Sequence, residues 1–287
     1  MQKKLLSYYK LAKPGIVYGN AMHTLACALF AWALAGPNWQ ALFGVLVGSS
    51  FVIASACVVN CITDRNIDAK MERTRKRPLP QKEVYLQGAI IYAIVLGVIG
   101  FIVLGIFTNW LAVTCMVICH VSYTVVYAWA KRHTWLSTIV GTIPGAMPAV
   151  AGYTAIDPSM PAAAWALGLV ILVWQLPHFY ALSLYRRDDY AKTGMPLISV
   201  VKSREFVVGN IFVTAIVYAV VAAVLFAVQP TIYWASGVML AAALAWVVSI
   251  FVAKNRGSDS WARRVFGTSL YMPISILLAG IIAVAVG

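Results

Sequence analysis

Apolar residues fall into nine runs, at roughly 15–35, 41–63, 86–107, 110–130, 134–155, 161–184, 206–228, 231–252 and 265–286. Each is about 20 residues long, the length an α-helix needs to cross a hydrocarbon core ~30 Å thick. Apart from 64–85 and 185–205 the breaks between runs are short, and no linker or low-complexity tract interrupts them. The pattern predicts an all-α, polytopic membrane protein, a nine-transmembrane-helix bundle forming a single integral membrane domain over 1–287. The first run exceeds the apolar core of about 7–15 residues typical of a signal peptide. It is therefore expected to stay as a span. No Arg- and Ser-rich transit segment precedes it, which points to a bacterial plasma (inner) membrane.

Composition agrees, with 62% hydrophobic and 11% charged residues. A net charge of +13 invites a nucleic-acid partner, but its distribution argues against one. All 22 Lys and Arg fall on one side of the nine-span topology: before the first span and after the second, fourth, sixth and eighth. The opposite connections, around 36–40, 108–109, 156–160 and 228–231, hold none. By the positive-inside rule the N-terminus is cytoplasmic and the C-terminus external. The protein's surroundings are the lipid bilayer, with no nucleic acid.

The acidic residues are scarcer and more telling. Seven of nine sit on the two long inner connections: Asp64, Asp68, Glu72, Glu83, Asp188, Asp189 and Glu205. These connections follow the second and sixth spans, corresponding places if spans one to four and five to eight are two halves, and a site between them would explain why acids and bases collect in both. Asn60, Asp64 and Asp68 are spaced i, i+4, i+8, so a helix turns all three toward nearly one side. A carbonyl and two carboxylates suit Mg²⁺, which is commonly held by one or two carboxylates together with substrate phosphates. Arg65, Lys70, Arg73, Arg75, Lys76, Arg77 and Lys82 follow at once. Oxygen donors beside phosphate-binding cations read as a diphosphate site at a membrane surface. Asp188-Asp189 in the other connection is a weaker pair that could hold a second ion; solvated turn residues are its plain alternative.

The five cysteines lie within apolar runs, Cys57/Cys61 and Cys115/Cys119 at helical spacing. They are expected to be buried packing thiols. His23 and His120 are expected to be hydrogen-bonded packing residues. His178 follows Pro177, which removes a backbone donor and kinks a helix. Glycine and proline across Gly141–Gly152, with Pro144, Gly145 and Pro148 between, suggest a deformed fifth helix that lets a flat ligand approach the backbone.

Asn60-x3-Asp64-x3-Asp68 followed by Glu72-Arg73-Thr74-Arg75-Lys76-Arg77-Pro78-Leu79 resembles the first signature of the UbiA-type intramembrane prenyltransferases. Three further stretches are similar to the protohaem IX farnesyltransferase (haem O synthase) branch of that superfamily: Lys13-Pro14-Gly15-Ile16, Lys131-Arg132-His133-Thr134 through Gly145-Ala146-Met147-Pro148, and Trp174-Gln175-Leu176-Pro177-His178-Phe179 leading to Asp189-Tyr190. Two places depart from the pattern, Met195-Pro196-Leu197-Ile198-Ser199 and Thr193, where other members often carry a second Asp.

The resemblance implies a nine-helix bundle that transfers a farnesyl group from farnesyl diphosphate to a vinyl group of haem b, with Mg²⁺ as cofactor. On this reading Asn60, Asp64, Asp68 and Asp189 are catalytic metal ligands, and Lys70, Arg73 and Arg77 bind the diphosphate, Arg73 and Arg77 standing i, i+4 so that a continued helix presents both together. His178 lies at the porphyrin as iron ligand or propionate partner, and Lys131 and Arg132 bind propionates. Transient contact with haem A synthase or a terminal oxidase goes with it. Two alternatives stay open. One is another acceptor, such as an aromatic acid, a quinone precursor or a chlorophyll-like pigment. The other is a membrane transporter, which calls for ionisable residues near the bilayer midplane rather than at one surface.

Overall fold

The computed structural model describes residues 2–228 and 233–286. Among them nine helices are long and apolar enough to cross a membrane: Pro14–Ala35, Trp39–Asp68, Leu86–Phe107, Trp110–His133, Ser137–Ile156, Ala162–Tyr185, Arg204–Ala227, Tyr233–Val252 and Asp259–Val286. No strand occurs among the described residues. The protein is a multi-pass, all-α membrane protein. Each span packs on its neighbour in sequence, the ninth closes on the first, and the first also packs on the fifth. The connection expected at 228–231 lies largely outside the described residues.

Local chemistry sets the ends. Pro14 opens the first span, where a missing N–H costs nothing. Asn38 accepts from the Ala41 N–H at 3.0 Å and starts the second span. Asn109 caps Leu111 and Ala112 and donates to the Thr154 carbonyl at 2.7 Å, tying the turn before the fourth span to the end of the fifth. Lipid offers no hydrophobic drive for helices to associate, so close packing of small residues does that work. The wall between the first and fifth spans shows it. A Cβ on Gly152 would stand 2.2 Å from the Thr24 carbonyl oxygen. Gly152 therefore serves helix contact rather than a ligand, contrary to expectation.

Three boundaries differ usefully from the sequence reading. The second helix continues through Asp68, so Asn60, Asp64 and Asp68 ride on one helix. Beyond Asp68 the chain leaves the helix and folds into turns, so Arg73 and Arg77 are not presented by a continued helix. The ninth span is interrupted at Leu270. Pro273 has no N–H to offer the Ser269 carbonyl one turn earlier, and the indole N–H of Trp174 takes that carbonyl at 2.9 Å instead.

Candidate active site

A cavity of about 470 Å³ opens at the basic-loop ends of the first, second, fourth, fifth and sixth spans. Both long connections reach it, one through Met71, Arg73 and Arg77 and the other through Tyr190, Met195 and Leu197. This is the arrangement expected of a site between two corresponding loops. Four cationic side chains (Lys13, Arg73, Arg77, Lys131) and two carboxylates (Asp64, Asp68) line it together with Asn60. Positive charge is in excess, so an anion is the complementary ligand.

The polar residues form one network. Asp68 is buried, and the Arg77 guanidinium donates to both its oxygens at 2.7 and 2.8 Å. The Thr74 hydroxyl holds the Asp68 carbonyl at 2.8 Å, closing the turn that brings Arg77 back. Burial alone would lower the Arg77 pKa; the Asp68 carboxylate beside it reverses this, and the net shift is upward. Asp64 accepts from Lys131 at 2.5 Å on one oxygen and from Arg132 at 2.8 Å on the other. The Asn60 amide donates to Asp64 at 3.1 Å while its carbonyl accepts from Lys13 at 2.6 Å. Lys13 holds a left-handed backbone (φ 51°) at the first span's start, a conformation that costs a non-glycine residue about 1–2 kcal/mol.

The fourth span reaches this network through a local irregularity. Ser122–Tyr127 is a π-helical turn between α-helical segments. In a regular α-helix each step of four residues overshoots a full turn by about 40°. The wider π turn absorbs that overshoot, so Cys119, Tyr123, Tyr127 and Lys131 all line the cavity. Tyr123 and Tyr127 stack with centroids 5.6 Å apart.

Deeper in the bundle the cavity becomes aromatic. Trp174 touches His23 (centroids 5.2 Å) and His178 (5.0 Å), and Phe266 covers the other side of His178 at 4.6 Å. His178 Nδ1 meets the Ser269 hydroxyl at 2.6 Å. His120 pairs with Ser55 at 3.3 Å, as a packing histidine does. His23 does not follow that expectation, since neither ring nitrogen has a partner among the described residues. All five cysteines are buried and free, as expected.

Not every expected residue converges here. Lys70 and Asp189 do not line the cavity; Lys70 is exposed and Asp189 pairs with Lys192 at 3.8 Å. Asp189's short helix contributes its neighbour Tyr190 instead. Burial pushes the Tyr190 phenol up, and Arg73 and Arg77 oppose the rise. Lys131 and Arg132 are engaged with Asp64 rather than standing free for propionates. Gly141, Pro144 and Gly145 do line the cavity, yet the Gln175 amide already fills the space beside Gly145.

The sequence pattern of the UbiA prenyltransferase family matches residues 21–270. The chain belongs to that family. Among curated relatives it is 37% identical over 273 residues to "Protoheme IX farnesyltransferase 1" of Shewanella frigidimarina, covering 94% of this chain and 90% of the relative. It is 36% identical over 250 residues to the "Protoheme IX farnesyltransferase" of Nostoc sp., covering 87% and 77%. The fold matches that of a UbiA homolog from Archaeoglobus fulgidus bound to GPP and Mg²⁺, with a TM-score of 0.74, 15% identity, and coverage of 98% of this chain and all of that one. The UbiA membership makes this chain a prenyltransferase, and its cavity lies where the family motif meets the two long connections.

No group of three or more His, Cys, Asp or Glu that could hold a metal occurs among the described residues. For Mg²⁺ in such a UbiA site none is needed, because one or two carboxylates and the substrate's phosphates complete its shell. Asp64, Asp68 and Asn60 are hard oxygen donors on one helix and fit that requirement.

Proposed function

We propose that this protein transfers the farnesyl group of farnesyl diphosphate to a vinyl group of haem b, making haem O at the cytoplasmic membrane face. One observation carries the reading: a single cavity joins a cation-rich carboxylate mouth to an apolar, histidine-bearing interior. A diphosphate suits the first and a flat aromatic acceptor the second. Relatives named for this reaction support it across most of the chain. The one-sided Lys and Arg support a cytoplasmic N-terminus and an external C-terminus.

Asn60, Asp64 and Asp68 would hold Mg²⁺, which would supply positive charge to the departing diphosphate. Arg73, Arg77, Lys13 and Lys131 bind phosphate oxygens, and Lys70 adds to the attracting field at the rim. Arg132 steadies Asp64. This moves Lys131 and Arg132 from the propionates to the diphosphate end, because both hydrogen-bond Asp64. Asp189 is the residue of the second connection that would reach another ion.

Cleavage of the C1–O bond leaves an allylic cation and diphosphate, and fixed charge in a poorly hydrated site stabilises that separation. The vinyl π electrons form the new C–C bond. The resulting cation takes up water, and loss of a proton gives the hydroxyethylfarnesyl product. His178 holds the porphyrin. Any contact with haem A synthase or a terminal oxidase would concern the product's release.

The test is turnover by the purified protein with farnesyl diphosphate, Mg²⁺ and haem b, read by product mass. Formation of haem O is the expected result. Farnesylation of an aromatic acid in preference to haem b would overturn the acceptor.

A further inference from the structure

Ser269 has one hydroxyl proton and two close partners. Its oxygen lies 2.6 Å from the Phe266 carbonyl and 2.6 Å from His178 Nδ1. A carbonyl only accepts, so the first contact takes the hydroxyl proton. The second must then run the other way, with His178 donating Nδ1–H to the Ser269 oxygen. A neutral imidazole protonated at Nδ1 carries its lone pair on Nε2. That nitrogen has no partner among the described residues, and His178 is a wall of the cavity. Ser269 is fully buried, so water does not compete for its hydroxyl.

The ring is also held in plane. Trp174 and Phe266 lie against it at 5.0 and 4.6 Å. Trp174 is itself fixed by its bond to the Ser269 carbonyl, which Pro273 leaves unclaimed. One residue of the ninth span thus sets both the tautomer of His178 and the position of its neighbour. A ligand histidine characteristically donates its other ring nitrogen to an oxygen that fixes tautomer and orientation.

We propose that Ser269 is a positioning residue that locks His178 as the Nδ1–H tautomer, so that Nε2 presents a lone pair to the iron of a porphyrin acceptor. The inference rests on the haem reading above and sharpens it. A lone pair cannot donate to a carboxylate, so His178 is an iron ligand and not a propionate partner.

The experiment is resonance Raman spectroscopy of the ferrous haem b complex of the purified full-length protein, with haem affinity measured alongside. The wild type is expected to show an iron–histidine stretching band that disappears in His178→Ala and returns with added imidazole. Ser269→Ala should lower the band's frequency and weaken haem affinity about 10–100-fold, the usual effect of removing such a supporting partner. Ser269→Thr keeps the hydroxyl and should restore both. Retained Mg²⁺-dependent binding of farnesyl diphosphate shows that each variant is folded. A wild-type complex that binds and farnesylates haem without this band overturns the ligand role alone. A band unmoved by Ser269→Ala overturns the positioning role. A wild type that binds no haem overturns the acceptor reading and this inference with it.

Discussion

Lys131 and Asp64, 67 residues apart in the chain, meet at 2.5 Å with side chains only 5% and 13% exposed. Removing one member of a buried pair leaves the other charge uncompensated, at about 3–5 kcal/mol. Lys131→Met is expected to destabilise the protein by less than that, about 1–3 kcal/mol, because Arg132 still pairs with Asp64, and to depress turnover. Removing both charges together should cost less than the two single changes combined. A double-mutant cycle by thermal melting in detergent measures the coupling, and a value near zero would contradict the pairing.

Loss of a carboxylate should act chiefly on the metal. Asp68→Asn or Asp64→Asn is expected to reduce turnover about 10²–10³-fold, in line with removal of one preorganised electrostatic group. The Mg²⁺ concentration for half-maximal rate should rise in both variants. Full activity of either at low Mg²⁺ would remove these residues from the mechanism. Asp189→Asn should have a smaller effect, because its side chain pairs with Lys192 away from the cavity wall.

Orientation is testable without turnover. With the five native cysteines replaced, a cysteine at position 76 should resist an impermeant reagent added to intact cells and react in inverted vesicles. External labelling there would reverse the topology read from the basic residues.

Glycine contacts separate packing from propensity. Gly152→Ala meets the Thr24 backbone, which cannot swing aside, and should cost about 1–3 kcal/mol. Gly105 has nothing within 4 Å of the added methyl, so Gly105→Ala should leave stability unchanged or raised. Equal melting temperatures for the two variants would refute the close first-to-fifth-span contact.

What the sequence disclosed follows from what is local in it. Hydrophobic run length located the spans, and helical spacing put Asn60, Asp64 and Asp68 on one helix. Spacing says nothing about partners far along the chain. Lys13 reaches Asn60 across 47 residues, and Arg132 reaches Asp64 across 68. The basic motif read as a helical continuation because Arg73 and Arg77 are four apart, yet Thr74 closes a turn there. His23 looked like a packing residue because an apolar run does not reveal which polar groups find partners.

The π-helical turn at Ser122–Tyr127 gives the fourth span a spare residue. Removing one residue there would let the stretch rewind to α pitch with little net rotation, because six residues at π pitch sweep about the same angle as five at α pitch. Lys131 and Arg132 would keep their bearing on Asp64, although Tyr123 and Tyr127 within the turn would shift. The same deletion in a regular stretch of the span would rotate everything after it by about 100° and carry both cations off Asp64. The wide turn is thus the one place in this helix where a frame error in three dimensions is absorbed rather than passed on.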